Sequence, residues 1–147
     1  MHNRKLPVYA VCGDDAAMCS CFMRRFGSKR PLTVRFADRD SWETADPQNC
    51  CMIADGATPE AAGREIAHRL LHASYDAVWL AWIDRPVEQL LTVTRQAELA
   101  RVSTLKRIVY CVDGEALLPA MNDPGLQRKL AQCDLLAVPQ QERRDLR

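Results

Sequence analysis

No apolar run in this sequence is long enough to cross a bilayer. The longest uninterrupted stretch, Ala77 to Ile83, falls far short of the roughly 20 residues a spanning helix needs. A net charge of either sign is missing too. The 20 Lys and Arg are balanced by 19 Asp and Glu, for a formal charge of +1 at pH 7, so there is no electrostatic footprint for nucleic acid or an anionic membrane surface. The apolar segment Leu6 to Cys12 contains Pro7 and lacks both the length and the small-residue cleavage site of a signal peptide. A cytoplasmic protein is expected. Seven cysteines, an odd number with Cys50 and Cys51 adjacent, do not suggest a disulfide framework in such a chain, so reduced thiols are expected. Internal repeats and low-complexity segments are also absent.

What is present is enough apolar residue for one core. At 147 residues and 48% apolar composition, the chain reads as a single domain with a core over about residues 7–138 and a polar tail over 139–147. Short apolar runs alternate with amphipathic ones, the pattern of a parallel sheet crossed by helices. The expected strands are Pro7–Cys12, Leu32–Ala37, Asp76–Ile83, Arg107–Val112 and Leu135–Val138. The clearest helix starts with Thr58 as N-cap, Pro59 in its first position and Glu60 in its first turn, and runs to about Ala73. Ile66, Ala67, Leu70 and Leu71 form its expected inner stripe. A second helix takes in Pro86 and reaches Arg101, with Val87, Leu90, Leu91, Thr94 and Ala97 inward. Glu115–Met121 and Leu126–Gln132 read as helical pieces separated by the turn signal Asn122-Asp123-Pro124-Gly125. The stretch from Asp38 to Gly56 reads as irregular.

The turn after the first strand is the natural place to look for a ligand. Gly13-Asp14-Asp15-Ala16-Ala17-Met18-Cys19-Ser20 matches the phosphate-loop pattern G-x-x-x-x-G-K-[ST] only at its first and last positions. The wider chain, however, resembles the CobW-type metallochaperone GTPases (CobW/HypB/UreG-like G domains) in the order of its segments. Arg107–Val138 is similar to that family's strand ending in V-D, its turn and its helix leading into an apolar strand, which sets Asp113 at the V-D position. Tyr75–Pro86 stands where the family has its second-switch strand, and Asn49-Cys50-Cys51 where it has its G-C-x-C-C metal motif. The resemblance implies an α/β, three-layer, P-loop-NTPase-like domain with a mostly parallel five-stranded sheet and helices on both faces. Gly13, Met18, Cys19, Ser20 and Asp113 then become the vestiges of a nucleotide site. It also implies that the family's last strand and C-terminal metal-carrying domain have no counterpart in these residues, so that oligomerisation would hide an uncovered edge or patch.

Chemistry at these positions departs from the family. Met18 puts bulk where backbone amides must wrap a phosphate, and Cys19 supplies a thiol in place of the lysine that neutralises the β- and γ-phosphates. Asp14 and Asp15 can cap the following helix themselves, worth about 0.5–2 kcal/mol. Against an incoming phosphate, a like charge about 4 Å away costs on the order of 4 kcal/mol at an effective dielectric near 20. Repulsion wins. The family's acidic and glycine switch positions are Ala81 and Asp84 here, and its guanine-specifying N-K-x-D is replaced by Pro139-Gln140-Gln141-Glu142. GTP with Mg²⁺ is therefore not expected as a cofactor.

Other residues carry alternatives. Cys50 and Cys51 are soft ligands suited to Zn²⁺ or Cu(I), yet a closed zinc site needs four ligands, and Gln48 replaces the first cysteine of the family motif. His68 and His72, four apart on a helix, could share a metal, the plainer reading being two solvated imidazoles. Cys19 and Cys21 lie near a helix N-terminus that favours thiolate, but beside acidic neighbours that oppose it. Cys12 and Cys111 read as core fillers, and the odd spacing of Trp79 and Trp82 sets them on opposite sheet faces. Asp14, Asp15 and Asp84 also resemble the acidic cluster of a phosphoacceptor receiver domain, although Gln140 stands where that fold needs lysine. The overall expectation is a module that does not hydrolyse nucleotide and binds a protein partner or a second copy of itself, with zinc handling by Cys50 and Cys51 as the alternative.

Overall fold

The computed structural model of the chain describes residues 5–14, 16–26, 29–37 and 50–112, together with 124, 127–128, 133 and 135–137. In chain order the elements are β1 (Leu6–Gly13), α1 (Ala16–Phe26), β2 (Pro31–Ala37), β3 (Cys50–Ala54), α2 (Pro59–Leu70), β4 (Ala77–Ile83), α3 (Val87–Thr94), α4 (Ala97–Val102), β5 (Ser103–Cys111) and β6 (Leu135–Ala137). The strands form one sheet in the order β3-β2-β4-β1-β5-β6, and every pairing is parallel. All five strands expected from the sequence are there. The sixth, Cys50–Ala54, lies in the stretch read as irregular; residues 38–49 of that stretch lie outside the described residues. Cys51 and Ile53 are buried while Cys50, Met52 and Ala54 are half-buried, the period-2 alternation of a sheet margin.

Side chains alternate between two cores, one on each face of the sheet. Val8, Ala10 and Cys12 of β1 join Val78, Leu80 and Trp82 of β4 and Ile108 and Tyr110 of β5 in the larger core, which α2, α3 and α4 cover. Val11, Trp79, Ala81, Val109 and Cys111 face the other way and pack with Cys19 and Met23 of α1. Three layers result, and Trp79 and Trp82 do lie on opposite faces. The central strand β4 is buried from Ala77 to Trp82, so its near-continuous apolar run reflects burial on both sides. Fully burying a side chain such as Leu80 or Val78 stabilises the fold by about 1.5–3 kcal/mol, and most of that gain sits in the larger core.

The helices follow their sequence signals at the start and depart from them at the end. The Ala61 N–H donates to Thr58 Oγ1 at 3.1 Å, which satisfies one of the free amides of the first turn of α2. The helix stops at Leu70, so Leu71, expected inside, is 76% exposed. The helix expected to run unbroken to Arg101 is two helices, α3 and α4, joined at Arg95-Gln96. Gln96 caps the second, its Oε1 accepting from the Leu99 N–H at 2.9 Å. The break sits against Gly63 of α2, where a Cβ would lie 2.5 Å from Gln96 Cβ and 2.7 Å from the Val93 carbonyl oxygen. Helices meet here at a distance only glycine allows. The rotation between α3 and α4 leaves Leu91 and Ala97 exposed rather than inward.

Strand β5 begins at Ser103, four residues before its expected start, because Ser103, Thr104 and Leu105 extend the pairing to Leu6, Pro7 and Val8. Pro124, Gln127 and Arg128 are helical, Pro124 included although it was read as part of a turn. The rest of the helical pieces read at 115–121 and 126–132, and the polar tail over 139–147, lie outside the described residues.

Candidate functional site

In an open parallel sheet, ligands bind beyond the carboxyl ends of the strands, at the point where the connections turn from one direction to the other. Here that point falls between β1 and β4. The chain leaves β1 through α1 toward β2 on one face, and leaves β4 through α3 and α4 toward β5 on the other. Gly13 and Ile83 are register partners at this edge, and the Asp84 N–H donates to the Gly13 carbonyl at 2.7 Å. Asp84 holds a φ of 54°, the left-handed conformation that glycine adopts without cost and Asp tolerates better than most residues. The backbone keeps what a glycine would supply, with a carboxylate in its place.

The turn after β1 is short. Strand β1 ends at Gly13 and α1 begins at Ala16, so Met18, Cys19 and Ser20 are already helical. A phosphate loop keeps the residues before these three as open backbone and starts its helix with them, whereas here the helix takes in Ala16 and Ala17 as well. Cys19, at the position of the family's lysine, is fully buried, and its Sγ donates to the Cys12 carbonyl at 3.5 Å. A Cβ placed on Gly13 would stand 2.9 Å from Cys19 Sγ and 3.0 Å from the Cys111 carbonyl oxygen. Gly13 is thus glycine because the helix packs directly on the strand end, which leaves the sulfur in the space beside it. Met18 is half-buried against the smaller core. Asp113 and Asp15 lie outside the described residues.

Electrostatics around this turn follow from burial. A hydrogen bond with Cys19 draws the Cys111 thiol below its ordinary range while burial opposes it. Burial first, then neighbouring Cys133 and Cys111, pushes the Cys12 thiol far up. Cys12, Cys19 and Cys111 are therefore core sulfurs, as the sequence suggested for the first and last. The Tyr110 hydroxyl donates to Asp14 Oδ1 at 3.5 Å. Its pKa is pushed up to about 12, by burial first and by the Asp14 carboxylate second.

A second group of contacts ties the ends of β2, β3 and β4, and sequence reasoning missed it. Arg85 donates to both the Asp55 carbonyl, at 3.1 Å, and Asp55 Oδ1, at 3.2 Å. Its guanidinium lies 4.3 Å from the Phe36 ring centroid and 5.4 Å from that of Trp82, within cation–π range. Trp82 Nε1 donates to the Pro86 carbonyl at 2.9 Å. The available signal was an acidic residue after one strand and a basic one after another, both strands next to β2. Only the strand order makes it readable.

The expected metal residues are not brought together. Cys50 and Cys51 are consecutive on β3, so their side chains leave on opposite faces. Cys51 is buried in the larger core and its pKa is pushed up to about 11, chiefly by burial, with Arg69 opposing and Glu65 and Cys50 adding. Cys50 is half-buried, its thiol 3.6 Å from Met52 Sδ on the other face. His68, in the last turn of α2, and His72, just past its end, are by contrast both exposed, with Nε2 atoms 3.4 Å apart. Among the described residues no group of three or more His, Cys, Asp or Glu is placed to hold a metal ion, and no helix is long and apolar enough to cross a membrane.

No protein-family model matches the chain, and no curated protein matches it in sequence. Solved structures do match in shape. The Zn(II)-bound YjiA GTPase from E. coli superposes with a TM-score of 0.65 at 13% identity, over 92% of this chain and 49% of that one. A Zn(II)-bound triple mutant of the YjiA GTPase gives a TM-score of 0.68 at 14% identity, over 97% of this chain and 53% of that one. The chain spans about half the length of these neighbours. At such identities the likeness is one of fold, and it supports what the order of segments implied: the described residues have the parallel α/β fold of a CobW-like G domain.

Proposed function

We propose that this protein is a nucleotide-independent module on a CobW-like G-domain fold, acting by binding a protein partner or a second copy of itself. The observation that carries the reading is the packing of Cys19 on Gly13 at the end of β1. The Cys19 sulfur and the first turn of α1 pack directly on the end of β1, which supports a turn that does not open to wrap a triphosphate. The Asp14 carboxylate, directly after β1, adds to it. Phosphoryl transfer depends on positioned cationic and amide groups around the transferred phosphate, and the family's cation is absent at Cys19. With the turn packed in this way, surface recognition is the role left to the scaffold. Calorimetric titration with GTP and Mg²⁺ tests this: no binding is expected at 100-fold excess over about 1 µM protein, a regime in which micromolar affinity is readily seen. Micromolar binding would overturn the reading.

A second reading is metal handling by Cys50 and Cys51, favoured by the Zn(II)-bound state of the first neighbour and by the softness of thiolate ligands. Because the two sulfurs leave β3 on opposite faces, one ion held by both would require that margin of the sheet to reorganise. Tight, stoichiometric Zn²⁺ uptake lost in Cys50→Ser/Cys51→Ser would favour it over the scaffold reading.

A further inference from the structure

The imidazoles of His68 and His72 form the one pair of strong metal-ligating side chains among the described residues whose donor atoms meet in solvent. Their Nε2 atoms are 3.4 Å apart, and the rings stand edge to face with centroids 4.9 Å apart. Both are exposed; His68 lies in the last turn of α2, and His72 follows its C-cap Leu71, the His72 N–H donating to the Arg69 carbonyl at 3.1 Å. Two nitrogens bound at about 2.05 Å to one tetrahedral ion stand roughly 3.3 Å apart. The observed separation is that of a chelate, and also of a hydrogen bond between the two rings.

We propose that His68 and His72 bind one divalent transition cation of the Zn²⁺ class through their Nε2 atoms, each ring carrying its proton on Nδ1, in place of the hydrogen bond between them. Imidazole nitrogen selects Zn²⁺, Ni²⁺ or Cu²⁺ over Mg²⁺ and Ca²⁺, which prefer oxygen, and the tetrahedral fit of the spacing favours Zn²⁺ among them. Aiming both lone pairs at one point needs only a rotation about χ2, a broad torsion for histidine. His68 also lines an open cleft of about 500 Å³ between β3, α2 and α4, with Glu65 and Glu98 among its lining residues. Glu98 pairs with Arg64 at 3.5 Å, and Glu65 stands three residues before His68 on α2. Two protein ligands leave two coordination positions for water. The site is separate from Cys50 and Cys51.

The test is Zn²⁺ titration of the full chain followed by NMR of the histidine rings and by calorimetry. The ring signals of His68 and His72 are expected to shift together and saturate at one ion per chain. His72→Ala and His68→Ala are each expected to weaken that binding at least tenfold, while Cys50→Ser/Cys51→Ser and His2→Ala change it less than twofold, and excess Mg²⁺ does not compete. Because both histidines are exposed and alanine is the better helix former, circular dichroism of the variants is expected to match the parent. Ring signals unmoved at 1 mM Zn²⁺, or undiminished affinity in the doubly substituted His68→Ala/His72→Ala chain, would overturn the proposal. Loss of all Zn²⁺ binding in the cysteine variant alone would overturn it too, and would support metal handling by the cysteines instead.

Discussion

The turn after β1 and the outer side of the β3–α2 unit both carry residues of the kind that bind ligands, and the fold treats them in opposite ways. At the turn, Cys12, Cys19 and Cys111 point into the two cores. At the end of α2, His68 and His72 are exposed with their donor atoms in reach of each other. Residue type alone made the first region look like the site and the second like ordinary surface. Burial reverses that: a sulfur packed on a glycine is a filler, whereas two exposed imidazoles with donor atoms 3.4 Å apart are the pair proposed to chelate.

The largest expected effect comes from restoring the family's residue at the turn. Cys19→Lys would place an ammonium in a fully buried position, and an uncompensated buried charge costs about 3–5 kcal/mol. Denaturant unfolding is expected to show that loss, with no gain of GTP binding; a stable variant that binds GTP would show that α1 can open into a phosphate loop. Next is Gly13→Ala. Its methyl would meet Cys19 Sγ at 2.9 Å and the Cys111 carbonyl at 3.0 Å, and overpacking of this kind costs about 1–3 kcal/mol. An unchanged urea midpoint would mean that the packing of α1 on β1 is looser than described.

Alkaline pH sharpens the same contrast through the buried groups. The folded Cys51 thiol has its pKa raised from 9.0 to about 11, so the stability it contributes is complete below about pH 9 and is lost as pH rises through 11. Tyr110, raised from 10.0 to about 12, loses its contribution between about pH 10 and 12. The sign is that of groups held neutral by the fold. Urea midpoints are expected to fall progressively from pH 9 upward, and less steeply over pH 9–11 in Cys51→Ala. A flat profile would contradict the burial assigned to both. The smallest effect is kinetic. Native alkylation is expected to label exposed Cys21 first and half-buried Cys50 next, leaving Cys12 and Cys19 protected until unfolding. Mass spectrometry that finds Cys19 modified early would place it outside the core.

Much of the fold was legible because parallel strands buried on both faces leave continuous apolar runs, as in Ala77–Ile83, and because Thr58-Pro59-Glu60 carries a complete helix start. Strand β3 was not, since Cys50-Cys51-Met52-Ile53-Ala54 has a single β-branched residue and adjoins a polar stretch. Nor was the break between α3 and α4, which answers to a glycine on another helix. Periodicity along one segment cannot report a close approach by a second, so Leu71 and Leu91 were read inward. For the site, Cys19 and Met18 were read as an obstruction in a loop. They are instead helical residues, Cys19 buried in the smaller core and Met18 half-buried against it. Arg85 with Asp55 was invisible because their meeting depends on the order β3-β2-β4.

The central claim is tested most directly by a crystal structure of the chain grown with millimolar GTPγS and Mg²⁺. The expected result is an edge between β1 and β4 without nucleotide, Cys19 Sγ resting on Gly13 and the Asp84 N–H still bonded to the Gly13 carbonyl. A triphosphate seated after β1, with the first turn of α1 unwound around it, would contradict the account.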